Sequence, residues 1–280
     1  MTFAQRLAKM DPRWIWGIVM LIVWASVLAP IALPVPVTSG TRAVVTWIDS
    51  LPKGKILLMA PEYNPGPDIE LTPQLQGVAQ LAFEHGLKII VVTSGFQLGP
   101  QLATPAVEAA AKAAGVKLQY GVNYVNLGYK PGNGASENEL VHNFQQATAG
   151  VDINGTPLSQ FPLTKDLKTL SPANFAGIWT EETGTPGCID WYTNAAVPSG
   201  LTLGCGAITM DGPTDEPYYT AGQYKALLIG ARGAGELEEL LHTGGLGLAS
   251  QETATFATIL IILCVIGGNI VYYKTRKKAA

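Results

Sequence analysis

Charge is scarce in this 280-residue chain: Asp, Glu, Lys and Arg make up 14% of it, against about 25% in an average soluble protein. The deficit is local. Trp14 to Val37 runs 24 residues without a charge, and Ala254 to Tyr273 another 20. Cysteine and histidine are also sparse, at three each. They form no CxxC and no Cys/His cluster, so nothing points to zinc, and no cofactor is expected. A basic surface is missing as well. Between Gly40 and Ser250, 11 Lys and Arg face 19 Asp and Glu, a net charge of −8. That balance argues against nucleic acid and against adhesion to an anionic membrane surface.

The two uncharged runs are long enough for the bilayer, since about 20 helical residues cross its ~30 Å hydrocarbon core. The first exceeds the ~7–15 apolar residues of a signal-peptide core, and its small-residue cleavage candidate ending at Ala29 is followed by Pro30. It reads as an uncleaved anchor, ended by Pro30, Pro34 and Pro36. Arg6, Lys9 and Arg13 precede the first run, and Lys274, Arg276, Lys277 and Lys278 follow the second. Basic flanks stay in the cytoplasm. The expected layout is a cytoplasmic tail (1–13), a transmembrane helix (14–37), an extracytoplasmic domain (38–250), a second transmembrane helix (254–273) and a cytoplasmic basic tail (274–280). The expectation is a two-pass membrane protein with both termini in the cytoplasm. Cys264 falls in the second span. Cys188 and Cys205, 17 residues apart, fall in the domain. An external compartment permits a disulfide between them, worth about 3 kcal/mol by loop closure; the alternative is two separate buried thiols.

Within the domain the pattern is α/β. A short helix over Arg42–Leu51, with Trp47 at the membrane interface, is followed by strand-like runs at 55–60, 87–93 and 122–127. Helical patterns occupy 72–86, 104–114 and 136–147, the last with Ser136 and Glu139 spaced as a capping box. Strand alternating with helix implies a parallel sheet. Residues 154–171 read as a long loop, 175–180 and 201–210 as strands, and 190–196 as helix. The expected class is α/β, Rossmann-like, with a mostly parallel sheet, flanking helices and a transmembrane helix at each end.

The glycine-rich stretch Gly222–Leu241 tests for a nucleotide site. Gly230, Gly233 and Gly235 have the wrong spacing for GxGxxG, and no Lys-Ser/Thr pair follows them. Apolar residues recur every three to four positions from Tyr224 to Leu241, which predicts one helix running across the glycines. On it Gly222, Ala226, Gly230 and Ala234 make a small-residue stripe that favours close packing, either on the domain's own sheet or against another subunit.

Ligands of open parallel sheets bind beyond the carboxyl ends of the strands. That rule selects Glu62, Ser94 and Lys130, with Asp68 and Glu70 in the first loop. A Ser–Lys nucleophile or a small-ligand site is conceivable there; the plainer reading is turn chemistry around Thr93-Ser94-Gly95. Glu181 and Glu182, adjacent in sequence, would face opposite sides of a strand. His85, His142 and His242 are scattered, and the aromatic set Trp179, Trp191, Tyr192, Tyr218, Tyr219 and Tyr224 reads as core or interface.

YGVNYVNLGYKPG (Tyr120–Gly132), the stretch GQYKALLIGARGAGELEELL and PEYNPGPDIELTPQ after the first strand resemble a family of prokaryotic membrane-anchored proteins of uncharacterised activity. The likeness runs from about Lys55 to Leu241, weakest over 173–209, and implies a membrane-tethered α/β module with no catalytic residue to carry over. The resulting expectation is a non-catalytic subunit of an oligomeric membrane assembly. Its partners would be the lipid bilayer, copies of itself and other membrane subunits. The alternative is an extracytoplasmic ligand-binding protein or hydrolase working at the sheet's carboxyl edge.

Overall fold

The computed structural model describes residues 11, 13–28, 36–184 and 187–276. Most of the 1–13 tail, Pro30 and Pro34, and the basic residues Lys277 and Lys278 lie outside the described residues. The chain forms two compact units, one of Val35–Gly247 and one holding the two apolar ends.

In the apolar unit, α1 (Arg13–Leu28) is a 16-residue helix, about 24 Å long at 1.5 Å per residue, which is shorter than a span needs. The other helix begins at Leu246 and runs to Arg276 (α11, numbered after the domain's elements below). Its stretch Leu246–Tyr273 is the one described helix long and apolar enough to cross a membrane.

The domain is a six-stranded parallel sheet flanked by helices. In chain order its elements are α2 (Ser39–Ser50), β1 (Ile56–Glu62), α3 (Asp68–Glu84), β2 (Lys88–Thr93), α4 (Gly99–Ala113), β3 (Tyr124–Tyr129), α5 (Gly134–His142), α6 (Phe144–Ala147) and β4 (Phe175–Glu182). There follow α7 (Cys188–Trp191), a π-helical turn (Tyr192–Ala196), α8 (Val197–Ser199), β5 (Leu203–Ala207), α9 (Gly212–Thr220), β6 (Tyr224–Ile229) and α10 (Gly230–Leu240). The strand order is β3-β2-β1-β4-β5-β6 and every pairing is parallel. This is the order of doubly wound mononucleotide-binding sheets.

Alternation along each strand sends side chains to two cores. Leu57, Met59, Ile89, Val91 and Trp179 pack against α2, α3, α4 and α10, while Leu58, Ile90, Val125, Ile178 and Leu203 pack beneath Phe144, Leu170 and Trp191. Strands buried on both faces need nearly continuous apolar sequence, as ILLMA and KIIVV supply. β5, with the sequence LGCGA, works differently. A Cβ added at Gly204 would lie 2.7 Å from the Trp47 ring and 2.8 Å from that of Trp179, so the missing side chain is what admits two indoles.

Several sequence expectations change here. Gly222–Leu241 is not one helix. Tyr224–Ile229 is the edge strand β6, and the chain turns at Gly230 (φ +62°) into α10. YKALLI carries no glycine or proline break, so a buried strand and a buried helix read alike in it. The small-residue stripe therefore does not share a helix face. Gly222 is in an exposed turn and Ala226 is buried in β6; only Gly230 and Ala234, both buried, fall in α10. Ser136 is not an N-cap; its hydroxyl donates to the carbonyls of Lys130 and Asn133, because α5 starts earlier, at Gly134. The predicted helix over 136–147 is broken at Asn143 into α5 and α6. α9 was not anticipated.

Candidate functional site

In a 3-2-1-4-5-6 sheet the chain leaves β1 toward one edge and β4 toward the other, which opens a crevice at their carboxyl ends. Glu62 and Glu182 are register partners at that point. Glu62 is wholly buried. Its Oε1 accepts from the Ser94 amide (2.7 Å), the Ser94 hydroxyl (3.0 Å) and the Trp191 indole (3.0 Å); its Oε2 accepts from the amides of Gly95 (3.1 Å) and Phe96 (3.2 Å). Successive amides of this kind form an anion-binding nest. Burial raises the Glu62 pKa, and these bonds offset the rise only in part.

The Ser94 hydroxyl also lies 2.6 Å from Oε1 of Glu137, on α5, whose Oε2 accepts from Asn194 at 3.1 Å. One hydroxyl hydrogen cannot serve two ionised carboxylates. Ser94 can therefore donate to only one of them at a time, and the shorter contact is the one to Glu137. Burial, first, and the charges of Glu62 and Asp190 push the Glu137 pKa up to about 7, against the bonds from Ser94 and Asn194.

A second acid pair sits beside the first. Glu182 accepts from the Cys188 amide at the start of α7. Its pKa is pushed well up by burial, then by hydrogen bonding to Asp215 and by the charges of Asp215 and Asp211. Burial raises Asp215 as well. Asp215 faces both Glu182 and the Tyr224 hydroxyl, and Asp211 Oδ2 has no hydrogen-bond partner among the described residues. Glu181 points to the opposite face, as strand alternation requires. It is fully buried, accepts from the Trp179 indole at 3.1 Å, and burial raises its pKa strongly. Cys188 and Cys205 form a disulfide with Cα atoms 5.8 Å apart. They lie near Asp215 in the one metal-capable grouping among the described residues. With the sulfurs bonded to each other, only the carboxylate keeps a ligand atom.

The residues selected from sequence do not all meet. Glu62 and Ser94 are bonded together. Asp68 accepts from Thr72 within its own helix, and Lys130 donates to the Val151 carbonyl at 3.1 Å, its pKa lowered by burial. Glu137, Glu182, Trp191, Asn194 and Asp215 complete the site and were not selected. Their signal was faint, because four of the five come from the crossover segments after β3, β4 and β5, whose return to this edge depends on strand order. Of the aromatic set, Trp179, Trp191 and Tyr224 are core, with Tyr192 and Tyr218 stacked against Tyr224.

Two further positions that suit anions are filled in the same way. At the amino end of α2, Oε2 of Glu236 accepts from the Thr38 amide (2.8 Å) and the hydroxyls of Thr38 (2.6 Å) and Thr41 (2.7 Å). Beside the β6–α10 turn, Glu70 accepts from the amide (2.8 Å) and hydroxyl (2.7 Å) of Thr209, and a Cβ at Gly230 would lie 2.9 Å from it. No family, curated protein or solved structure matches the chain.

Proposed function

We propose that this chain is a non-catalytic, membrane-anchored subunit of an oligomeric assembly, its α/β domain outside the cytoplasm and making the subunit contacts. The observation that carries the reading is the state of the anion positions. In doubly wound sheets the nest and the helix amino ends receive the ligand's phosphates. Here Glu62 occupies the nest and Glu236 the amino end of α2, each held by the chain's own donors. A phosphate entering either of them would have to expel a hydrogen-bonded carboxylate. The disulfide suits an oxidising compartment and the long apolar helix suits an anchor; the two-span layout with cytoplasmic basic ends, and kinship with uncharacterised prokaryotic membrane-anchored proteins, complete the proposal.

The test is size in solution. Full-length protein in mild detergent is taken through light scattering coupled to gel filtration over a hundredfold concentration range. Oligomers of fixed stoichiometry are expected, alone or with co-purifying membrane subunits. A monodisperse monomer at every concentration would sink the reading.

A further inference from the structure

At the amino-terminal ends of β4, β5 and β6, the opposite edge from the acid cluster, α2 packs on one face of the sheet. Beside that helix an open groove of about 730 Å³ remains. Its size is within the usual range for sites that take small organic ligands. Half-buried Ala43 and the buried Trp47, Leu51 and Ala176 form its apolar floor. Trp47 is pinned there, its indole donating to the Thr202 hydroxyl at 2.9 Å. Two cations, Arg42 and Lys225, line the same groove, both exposed, and no acid does. Among the described residues the ion pairs are His85–Asp49 and Arg232–Glu236, so neither groove cation is neutralised by an acid. In a domain with a net charge of −8, an acid-free groove with two such cations departs from the surrounding surface.

From this juxtaposition we propose that the groove binds an anionic membrane phospholipid, one acyl chain against Trp47, Leu51 and Ala176 and the phosphate on Arg42 and Lys225. Each half of the ligand answers half of the lining. Hydrocarbon gains from leaving water against the apolar floor, and phosphate pairs with guanidinium and ammonium groups. A purely apolar occupant would leave the cations without a role, and a bare anion would leave the floor wet. The bilayer is the source to which the sequence leads, since an uncharged apolar run lies on either side of the domain. The inference rests on membrane anchorage but not on oligomer formation.

The experiment uses full-length protein purified in a non-ionic detergent, exchanged extensively, then extracted with organic solvent for lipid mass spectrometry. About one anionic phospholipid per chain is expected to survive exchange in the wild type. Ala43→Trp fills the groove, and the surface double variant Arg42→Glu/Lys225→Glu reverses its charge without touching the core. Both are expected to lower retention at least fivefold, with the far-ultraviolet circular dichroism of the double variant unchanged. Incubation with phosphatidylglycerol should restore occupancy in the wild type alone, and phosphatidylcholine should not. Equal retention in wild type and double variant would place the lipid elsewhere and overturn the proposal. So would an empty wild type that phosphatidylglycerol cannot fill. A monomeric protein that still retains the lipid would defeat the assembly reading while leaving this one standing.

Discussion

At the switch point a single hydroxyl lies between two buried acids. Ser94 is 3.0 Å from Glu62 and 2.6 Å from Glu137, and its one hydrogen can bond only one of them at a time. The Glu137 carboxyl titrates at about 7 in the fold but at about 4.3 in an unfolded chain. Between those values the folded chain binds more protons than the unfolded one. The stability this group contributes is therefore fully present below the lower value, is lost as pH rises through the window, and is gone above the higher. Each pH unit inside the window removes at most about 1.4 kcal/mol. Glu182, raised in the same direction, prolongs the decline toward alkaline pH. Glu137→Gln removes the titrating carboxyl while its side-chain oxygen can still accept from Ser94, so the decline between pH 5 and 7 should shrink. At pH 8 the variant should be no less stable than the wild type. Denaturant titration followed by fluorescence of the buried Trp179 and Trp191 measures this. An unchanged slope would mean that the proton resides elsewhere.

Among the elements, α2 depends on a carboxylate from the far end of the domain. Burial alone raises the pKa of Glu236, but bonds from Thr38, Thr41 and Arg232 outweigh it and leave the group below its ordinary range. Its contribution is thus present at neutral pH and lost as the medium is acidified through the folded value, opposite in sign to Glu137. Glu236→Gln removes the charge from these bonds and should cost about 2–3 kcal/mol at pH 7, with amide exchange in α2 faster than in α3; equal protection of the two helices would show that the tie is dispensable. The sheet has its own weak point at Gly204. Gly204→Val drives a branched side chain into the rings of Trp47 and Trp179, neither of which has a flexible end to yield, and should cost about 1–3 kcal/mol or more in the same denaturant titration; a stability within 0.5 kcal/mol of wild type would mean that the indoles move aside. These elements also mark how far the sequence was legible. β1 and β2 announce themselves through branched apolar runs bounded by turns, and the Lys88–Thr93 strand follows directly from IIVV. β6 does not, because YKALLI suits either period and leads unbroken into GARGAG. Glu62 and Ser94 were reachable from the rule about strand ends. Their partners Glu137 and Trp191 were not, since no local pattern shows that the segments after β3 and β4 fold back over β1.

At the scale of the whole molecule, a charge-poor chain divides its few charges by position. Basic residues flank the two apolar stretches, and the intervening 40–250 segment carries −8. If basic flanks are retained in the cytoplasm, two crossings leave the acidic domain outside, where Cys188 and Cys205 can remain bonded. The described part of the first crossing is only the 16 residues of α1, so the second crossing carries more weight. A single crossing by α11 would put one chain end outside. Ser159, exposed on the domain surface, offers a neutral reporter. In a Cys264→Ala background, a membrane-impermeant maleimide should label Ser159→Cys in sealed cells, while a cysteine appended after Ala280 should react only after lysis. Labelling at both positions would leave the domain outside but reverse the basic tail. Labelling at the appended cysteine alone would place the domain in the cytoplasm, and the assembly reading would then have to be rebuilt for a reducing compartment.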